Sequence, residues 1–424
     1  MALKLPDPFA AIPRFNLLYP FASPIHPLNF LSSSSRNRNT GAGDARVSLY
    51  CKREDHASSL ACSGNKYRKL EYIVPDILSR QPVFGDGVAS ESPAVLTSTP
   101  KPGSERRITT LVTEGAIQSN HTVQVAATAK KLGLEAVVLL HKATGGGLSA
   151  ATHRDVFLQT GNVQIDRLLG ADVRILDPSS DSNSQDDVVE GVISGLRSEG
   201  KSPYWIPSGA SLHPLGGLGY ARCAFEIAAQ ERELFTPQTK SNPRAAVERD
   251  GGQFDYIFVA AGSGSTIGGL IAGFKLLEKS NSAIHQDKKQ RPRKIIGILT
   301  SPTASKAYHK ERVLRFARQA GKLIGLEDPE RDITMSDIHL DDRYVGSAYG
   351  VLDLETKEIL TAMAEKEQLI LDPVYTAKVA RGMMGWIEGE DITAAYEGQD
   401  QGGDFNVLFI HTGGQSALGA YSDV

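Results

Sequence analysis

The chain has 424 residues, of which 41% are hydrophobic and 22% are charged, and its formal net charge is −3. This composition is typical of a globular protein, and the length predicts two or three domain-sized units. The near-neutral balance gives no support for nucleic acid or an anionic membrane as a partner. No run of about 18 apolar residues occurs, so we expect no membrane-spanning helix.

The N-terminal segment and the cysteines bear on location. Residues 1–31 are rich in proline and contain no basic segment leading into an apolar run, so they do not indicate a secretory signal. Cys51, Cys62 and Cys223 lack the C-x-x-C spacing of metal and redox sites. We therefore expect no disulfide framework, no metal site and a cytoplasmic location.

The first informative segment is residues 63–66, which read Ser-Gly-Asn-Lys and precede an amphipathic helix pattern. The pattern predicts that Lys66 lies at a helix start, close to Arg68 and Lys69. Neighbouring positive charge and the helix dipole both lower the pKa of a lysine. Only the neutral amine attacks an aldehyde, so the segment favours a carbonyl-reactive lysine. The simpler alternative is a solvated lysine.

A second helix start follows the predicted strand at residues 108–112. Ser119 is a typical N-cap residue for a predicted helix over 119–132, and capping alone explains a serine there. The free amide protons of a helix start, together with the side chains of Ser119 and Asn120, also suit a carboxylate or a phenolate oxygen. His121 is more often structural at such a position.

A Gly/Ser-rich loop over residues 262–266 stands between a predicted strand and a predicted helix. Its glycines, hydroxyls and helix N-terminus together favour a phosphate site. The loop lacks the lysine of a nucleoside-triphosphate loop. It also fails the dinucleotide fingerprint, because the third glycine comes one residue late and no ribose-binding acid ends the next strand. A tight turn that binds nothing is the alternative.

Apolar, β-branched runs alternate with helical patterns along the chain, which predicts an α/β fold of two doubly wound domains with mainly parallel sheets and an active site in the crevice between them. The predicted strands cover residues 108–112, 136–140, 172–176, 203–206, 256–260, 294–299 and 406–410. We assign residues 1–68 plus 206–424 to a large domain and 69–205 to a small one. Polar or Gly/Pro-rich stretches predict surface insertions at 80–107, 177–187, 236–253 and 279–293.

Four segments in this order carry a family resemblance: Ser-Gly-Asn-Lys at 63–66, Gly-Ala-Ile-Gln-Ser-Asn-His at 115–121, the loop at 262–266, and Asp-Pro-Val-Tyr-Thr at 372–376. Together they resemble the pyridoxal 5′-phosphate (PLP) enzymes of the tryptophan-synthase-β fold, known as PLP fold type II. More narrowly, the chain is similar to the family of D-cysteine desulfhydrases and 1-aminocyclopropane-1-carboxylate (ACC) deaminases.

The resemblance implies a role for each matching position. Lys66 would hold PLP covalently, with Lys69 the less favoured choice. Tyr349 and Tyr375 would line the substrate side as catalytic residues together with Lys66 and Ser119. The implied substrate contacts are Gln118, Ser119 and Asn120. The implied cofactor contacts are Asn65, Lys66, Asn120, Gly262, Ser263, Gly264, Ser265, Thr266 and Thr376. The family also implies a small amino-acid substrate and a homodimer.

Thr376 bears on the choice between the two activities. The resemblance places this position against the pyridine nitrogen, where ACC deaminases carry glutamate and D-cysteine desulfhydrases carry threonine. A carboxylate stabilises a protonated ring and makes it a stronger electron sink than a hydroxyl does. D-cysteine has an α-proton that Lys66 can remove and a leaving thiol with a pKa of about 8.5, so a weaker sink suffices.

We therefore expect D-cysteine desulfhydrase activity, releasing pyruvate, hydrogen sulfide and ammonia. ACC deaminase activity, releasing 2-oxobutanoate and ammonia, is the alternative, and residues 55–61 and the segment at His213 favour it. A nicotinamide-dependent oxidoreductase using the loop at 262–268 and a silent cofactor-binding protein are the remaining alternatives.

Overall fold

The computed structural model describes residues 3–31, 47–86, 105–141, 159, 161–176, 185–235, 252–282, 292–389, 391–394 and 404–421. Its strands form two sheets, one of four strands and one of six. Among the described residues, no helix combines the length and the apolar character needed to cross a membrane.

The smaller sheet is wholly parallel and has the strand order β5-β4-β3-β6. Its strands are β3 (Thr110–Ala116), β4 (Glu135–His141), β5 (Asp172–Leu176) and β6 (Pro203–Ile206). The central strands β3 and β4 are almost entirely buried, because helices cover both faces of a parallel sheet. This burial explains why these strands appear in the sequence as continuous apolar runs.

The larger sheet has the order β1-β2-β10-β7-β8-β9, and only β1 is antiparallel to its neighbour. Its strands are β1 (Ile25–Pro27), β2 (Val47–Arg53), β7 (Tyr256–Ala261), β8 (Lys294–Leu299), β9 (His339–Asp341) and β10 (Phe405–His411). Every residue of the inner strand β10 is buried. Two apolar clusters pack on opposite faces of this sheet.

Helices connect the parallel strands. They are α1 (Asn65–Ile77), α2 (Asn120–Leu132), α3 (Gly161–Leu168), α4 (Gln185–Ser198), α5 (Leu218–Phe235), α6 (Ser265–Ser282), α7 (Lys306–Ile324), α8 (Pro329–Asp332), α9 (Leu354–Glu367), α10 (Thr376–Glu388) and α11 (Asp391–Ala394). Helix α2 follows the carboxyl end of β3, and α6 follows the carboxyl end of β7. Ligands of open α/β sheets bind outside these strand ends.

Each strand predicted from the sequence is present, and the predicted fold class is confirmed. The sequence analysis missed β1, β2 and β9. Strands β1 and β9 have only three residues each, which is too short for a period to show. Strand β2 ends in Lys52 and Arg53, and these charged residues interrupt the apolar pattern by which a strand is predicted. Lys52 is nevertheless fully buried, because its amine donates to the Ser23 carbonyl and to Gln230.

The domain boundaries at residues 68/69 and 205/206 remain predictions, although the two sheets divide the strands in a compatible way. The predicted insertions fall largely outside the described residues, since residues 87–104, 177–184, 236–251 and 283–291 are not described.

Candidate active site

Helix α1 begins where the two sheets meet, and its first residues contact both sides. The Asn65 backbone amide donates to the carbonyl of Thr412, just beyond β10, at 3.1 Å. The Asn65 side chain donates to Thr266 Oγ1 at 3.3 Å, on α6. The Lys66 backbone amide donates to Gln124 Oε1 at 3.0 Å, on α2. These bonds hold Lys66 between the start of α6 and the first turns of α2.

The Lys66 amine donates to Asn65 Oδ1 at 2.8 Å. Burial lowers the pKa of Lys66 to about 8, and the Asp372 carboxylate partly opposes the change. The lowering agrees with the sequence-based expectation, but its cause is burial, and the neighbouring charges of Arg68 and Lys69 are not among the causes. Arg68 is turned away into a buried ion cluster with Glu54 and Glu226, which neutralises its charge.

The predicted phosphate loop joins β7 to α6 and is shaped by Gly264, whose φ of +88° is in the left-handed region that favours glycine. The Lys69 amine reaches this loop, donating to Ser265 Oγ at 2.9 Å and to the Gly209 carbonyl at 2.9 Å. It also lies 3.5 Å from Ser263 Oγ. Burial and nearby Lys66 hold the pKa of Lys69 well below its ordinary value.

The sequence analysis considered Lys69 only as a second choice for covalent attachment and missed this position beside the loop. The available signal was the spacing: residues three apart lie on the same helix face, so Lys66 and Lys69 both face the site.

The predicted helix start at Ser119 is confirmed. Ser119 is the N-cap of α2, and its hydroxyl accepts from the His121 backbone amide at 3.2 Å. Asn120 Oδ1 accepts from Asn162 Nδ2 at 2.8 Å. The backbone of Gly414 passes so close that a Cβ there would lie 2.6 Å from Asn120 Nδ2. The segment after β10 is therefore packed directly on the start of α2.

Tyr349 and Tyr375 come together, with their hydroxyls hydrogen-bonded to each other. The Lys66 amine lies 5.7 Å from the centre of the Tyr375 ring. Burial raises the pKa of Tyr375 to about 12 and holds that of Tyr349 well above its ordinary value, so both hydroxyls keep their protons at neutral pH. The site thus places a low-pKa amine next to a pair of proton-holding hydroxyls.

Thr376 is the first residue of α10, and its hydroxyl donates to Asp372 Oδ1 at 2.7 Å. A Cβ at Gly414 would lie 2.8 Å from the Asp372 Cγ atom, so Asp372 adjoins the same segment that packs on Asn120. The sequence analysis gave Asp372 no role. The available signal was an aspartate shortly before a helical pattern, which is typical of a cap.

Two buried polar atoms near the site, Gln118 Nε2 and Thr300 Oγ1, have no hydrogen-bond partner among the described residues. Thr300 Oγ1 lies next to the loop, 3.4 Å from where a Cβ on Gly262 would stand. Unpaired buried polar atoms indicate a missing partner. Together with Lys69, the helix start and the glycines, they fit a cofactor that carries a phosphate and an aldehyde. Within the described part of the chain, no group of three or more His, Cys, Asp or Glu side chains could hold a metal ion.

Comparison with known proteins identifies the family. The model of a family described as pyridoxal-phosphate dependent enzyme matches residues 21–413. An ACC deaminase of Methylobacterium nodulans is 35% identical over 377 residues, which is 89% of each chain. An ACC deaminase of Burkholderia multivorans is 34% identical over 416 residues, which is 97% of each chain.

A solved structure titled as an ACC deaminase homologue is similar at a TM-score of 0.66 and 27% identity, and the match covers 98% of this chain and 96% of that one. These names favour the ACC deaminase alternative over the D-cysteine desulfhydrase activity that the sequence analysis placed first. They give no support to the nicotinamide-dependent alternative. The chain therefore belongs to the pyridoxal-phosphate-dependent enzymes of fold type II, within the family of ACC deaminases and D-cysteine desulfhydrases, and its cofactor is PLP.

Proposed function

We propose that the protein is an ACC deaminase, which converts ACC and water into 2-oxobutanoate and ammonia. The relatives of that name match nearly the whole chain. The observation that carries the proposal is the hydroxyl pair of Tyr349 and Tyr375 beside the Lys66 amine. ACC has no α-proton, so opening its ring requires groups that move protons at the ring carbons, and these three side chains can do so.

The cofactor would be held by residues from four helix starts, those of α1, α2, α6 and α10. Lys66 holds it covalently through the ε-amine. The loop at 262–266 would bind the phosphate, and the Lys69 amine would donate to it; the charge of the phosphate itself favours the protonated form of this lysine. Asn120 would contact the phenolic oxygen, and Thr376 would contact the ring nitrogen. When bound, PLP supplies an electron sink for the reacting carbon.

The chain's own residues then divide the proton transfers. With a pKa near 8, the Lys66 amine can both accept and return a proton close to neutral pH. The Tyr375 hydroxyl, which is protonated at neutral pH, donates its proton to the ring carbon whose bond to the α-carbon breaks. Tyr349 holds the Tyr375 hydroxyl in place through their hydrogen bond.

The substrate carboxylate binds at the start of α2. The amide protons of a first helical turn have no partner within the helix and attract an anion. Ser119 and the buried, unpaired Gln118 Nε2 add donors on the same side, and Asn120 completes the set. The close packing of Gly350 on Gln118 connects this carboxylate site to the tyrosine pair.

A second candidate activity is D-cysteine desulfhydration, in which D-cysteine and water give pyruvate, hydrogen sulfide and ammonia. Thr376 favours it, because no glutamate stands where ACC deaminases carry one. The test is an assay of the purified holoenzyme against ACC and D-cysteine in parallel, with 2-oxobutanoate, pyruvate and sulfide as readouts. Release of 2-oxobutanoate from ACC supports the deaminase. Release of sulfide and pyruvate from D-cysteine, with no turnover of ACC, would refute the deaminase and support the desulfhydrase.

The homodimer and the cytoplasmic location are also proposals, which rest on the family resemblance and the cysteine usage. Sedimentation of the purified protein tests the first. A mass equal to one chain at assay concentrations would exclude the homodimer.

A further inference from the structure

Asp372 is a fully buried carboxylate with an unusually complete set of partners. Its Oδ2 accepts from the backbone amides of Val374 and Tyr375 at 3.0 and 2.8 Å. Its Oδ1 accepts from the Thr376 amide at 2.8 Å and from the Thr376 hydroxyl at 2.7 Å. Burial raises the pKa of Asp372, and these hydrogen bonds oppose the rise. Four donors on two oxygens favour the ionised form.

The Thr376 hydroxyl has one proton and two lone pairs. The proton points to Asp372 Oδ1. One lone pair accepts from the Asp372 backbone amide at 2.7 Å. A single lone pair is left for any other partner, so in this arrangement Thr376 offers an acceptor and not a donor.

This leaves two possibilities for a ring nitrogen placed against Thr376. A protonated nitrogen donates into the free lone pair, and every bond of Asp372 is kept. An unprotonated nitrogen needs a donor, so the hydroxyl would have to turn away from Asp372 and leave a buried carboxylate with one partner fewer. Leaving a buried charged group short of a hydrogen bond is costly, so the first arrangement is favoured.

The charge of Asp372 acts in the same direction. The negative charge of Asp372 acts on other groups of the site: it raises the pKa of Lys66 and so opposes the effect of burial. A buried anion stabilises a positive charge nearby more strongly than it would in water. The carboxylate therefore stabilises a protonated ring both through the hydrogen bond of Thr376 and through its field.

We propose that Asp372, acting through the Thr376 hydroxyl, keeps the ring nitrogen of the bound cofactor protonated. Asp372 is then a positioning residue that supplies, one bond further away, the carboxylate that other ACC deaminases carry as glutamate. The inference rests on the proposed placement of Thr376 against the ring nitrogen. It explains how a threonine site provides the strong electron sink that ring opening requires.

The competing explanation is that Asp372 only caps α10. The distinguishing experiment loads the protein with PLP labelled with ¹⁵N at the ring nitrogen and records its ¹⁵N chemical shift, which separates protonated from unprotonated nitrogen without any substrate. The variants are Asp372→Asn, Thr376→Val and Thr376→Ser. Thr376→Val keeps the three backbone donors of Asp372 and removes only the hydroxyl, so a pure capping role would survive it. Ser305→Ala, which removes the cap of another helix, α7, and touches neither Asp372 nor Thr376, is the matched control.

We expect a protonated shift at neutral pH in the wild type, in Thr376→Ser and in Ser305→Ala, and a move to the unprotonated shift in Thr376→Val and Asp372→Asn. An unprotonated wild type, a Thr376→Val protein with the wild-type shift, or a wild type that binds no PLP overturns the proposal. Failure of the deaminase assignment gives a different result: a protonated, hydroxyl-dependent shift with no ACC turnover keeps the role of Asp372 and removes only the activity. An Asp372→Asn protein that does not fold leaves the Thr376→Val result to decide.

Discussion

Two helix starts, those of α2 and α6, adjoin helix α1 from different sheets, and they differ in what they offer an anion. At α6 the approach is made of glycines, one with positive φ, and a buried lysine lies beside it. At α2 the approach carries a capping hydroxyl and carboxamides. The same strand–turn–helix unit thus suits a dianionic phosphate in one place and a single carboxylate in the other. Side chains and one added cation make the difference, since both helix dipoles point the same way relative to their strands.

The largest effect is expected at Lys66, which lies between the two helix starts. Lys66→Ala removes both the proposed covalent attachment and the amine that transfers protons. General acid–base catalysis by such a group accelerates a reaction about 10²- to 10⁴-fold. We expect visible PLP absorption and turnover to be lost together. Lys131→Ala, on the exposed end of α2, is the control and should keep both. A coloured, active Lys66→Ala protein would refute the assignment.

The next largest effect separates the two helix starts by ligand. Lys69→Met removes the cation at the α6 loop, and hydrogen bonds to charged groups contribute about 1.5–3 kcal/mol, so PLP affinity should fall about 10- to 100-fold. Affinity for pyridoxal, which has no phosphate, should hardly change. Titration of the apoprotein with both compounds measures this. An equal loss for both would show that Lys69 does not act on the phosphate.

The pH dependence of cofactor incorporation tests the environment of Lys66. Only the neutral amine reacts, and burial lowers its pKa to about 8. The neutral fraction is then about a tenth at pH 7 and about nine tenths at pH 9, so the rate should rise about tenfold and level off. The growth of visible absorption after mixing apoprotein with PLP gives the rate. A rate that keeps rising steeply above pH 9 would indicate an ordinary lysine.

The smallest effect is expected at the start of α2. Ser119→Ala removes one hydrogen-bond partner of the substrate, and a net hydrogen bond of about 0.5–1.5 kcal/mol predicts a two- to tenfold rise in KM, with PLP affinity unchanged. The loss of the cap should also cost about 1 kcal/mol of stability. Ser305→Ala, which removes the cap of α7, should lose similar stability with no change in KM. If the two variants had the same KM, Ser119 would act only as a helix cap and not as a substrate contact.

Local sequence patterns were sufficient for much of this. Strand β7, the loop at 262–266 and the N-cap at Ser119 were predictable, because apolar runs, glycines and capping residues act within a few neighbours. Strands β1 and β9 were not, because three-residue strands depend on a neighbouring strand for their pairing. The behaviour of Arg68 was also out of reach, since its partners Glu54 and Glu226 are distant in the chain.

The amino-acid sequence by itself determined the α/β class and the positions of the inner strands, since these depend on local periodicity, and its motifs predict Lys66 as the reactive lysine. The tertiary structure decided what surrounds them. Burial lowers the pKa of Lys66, and the close approach of Gly414 joins Asn120 to Asp372. Desolvation and contacts between distant segments arise only once the chain has packed, which is why no local pattern contains them.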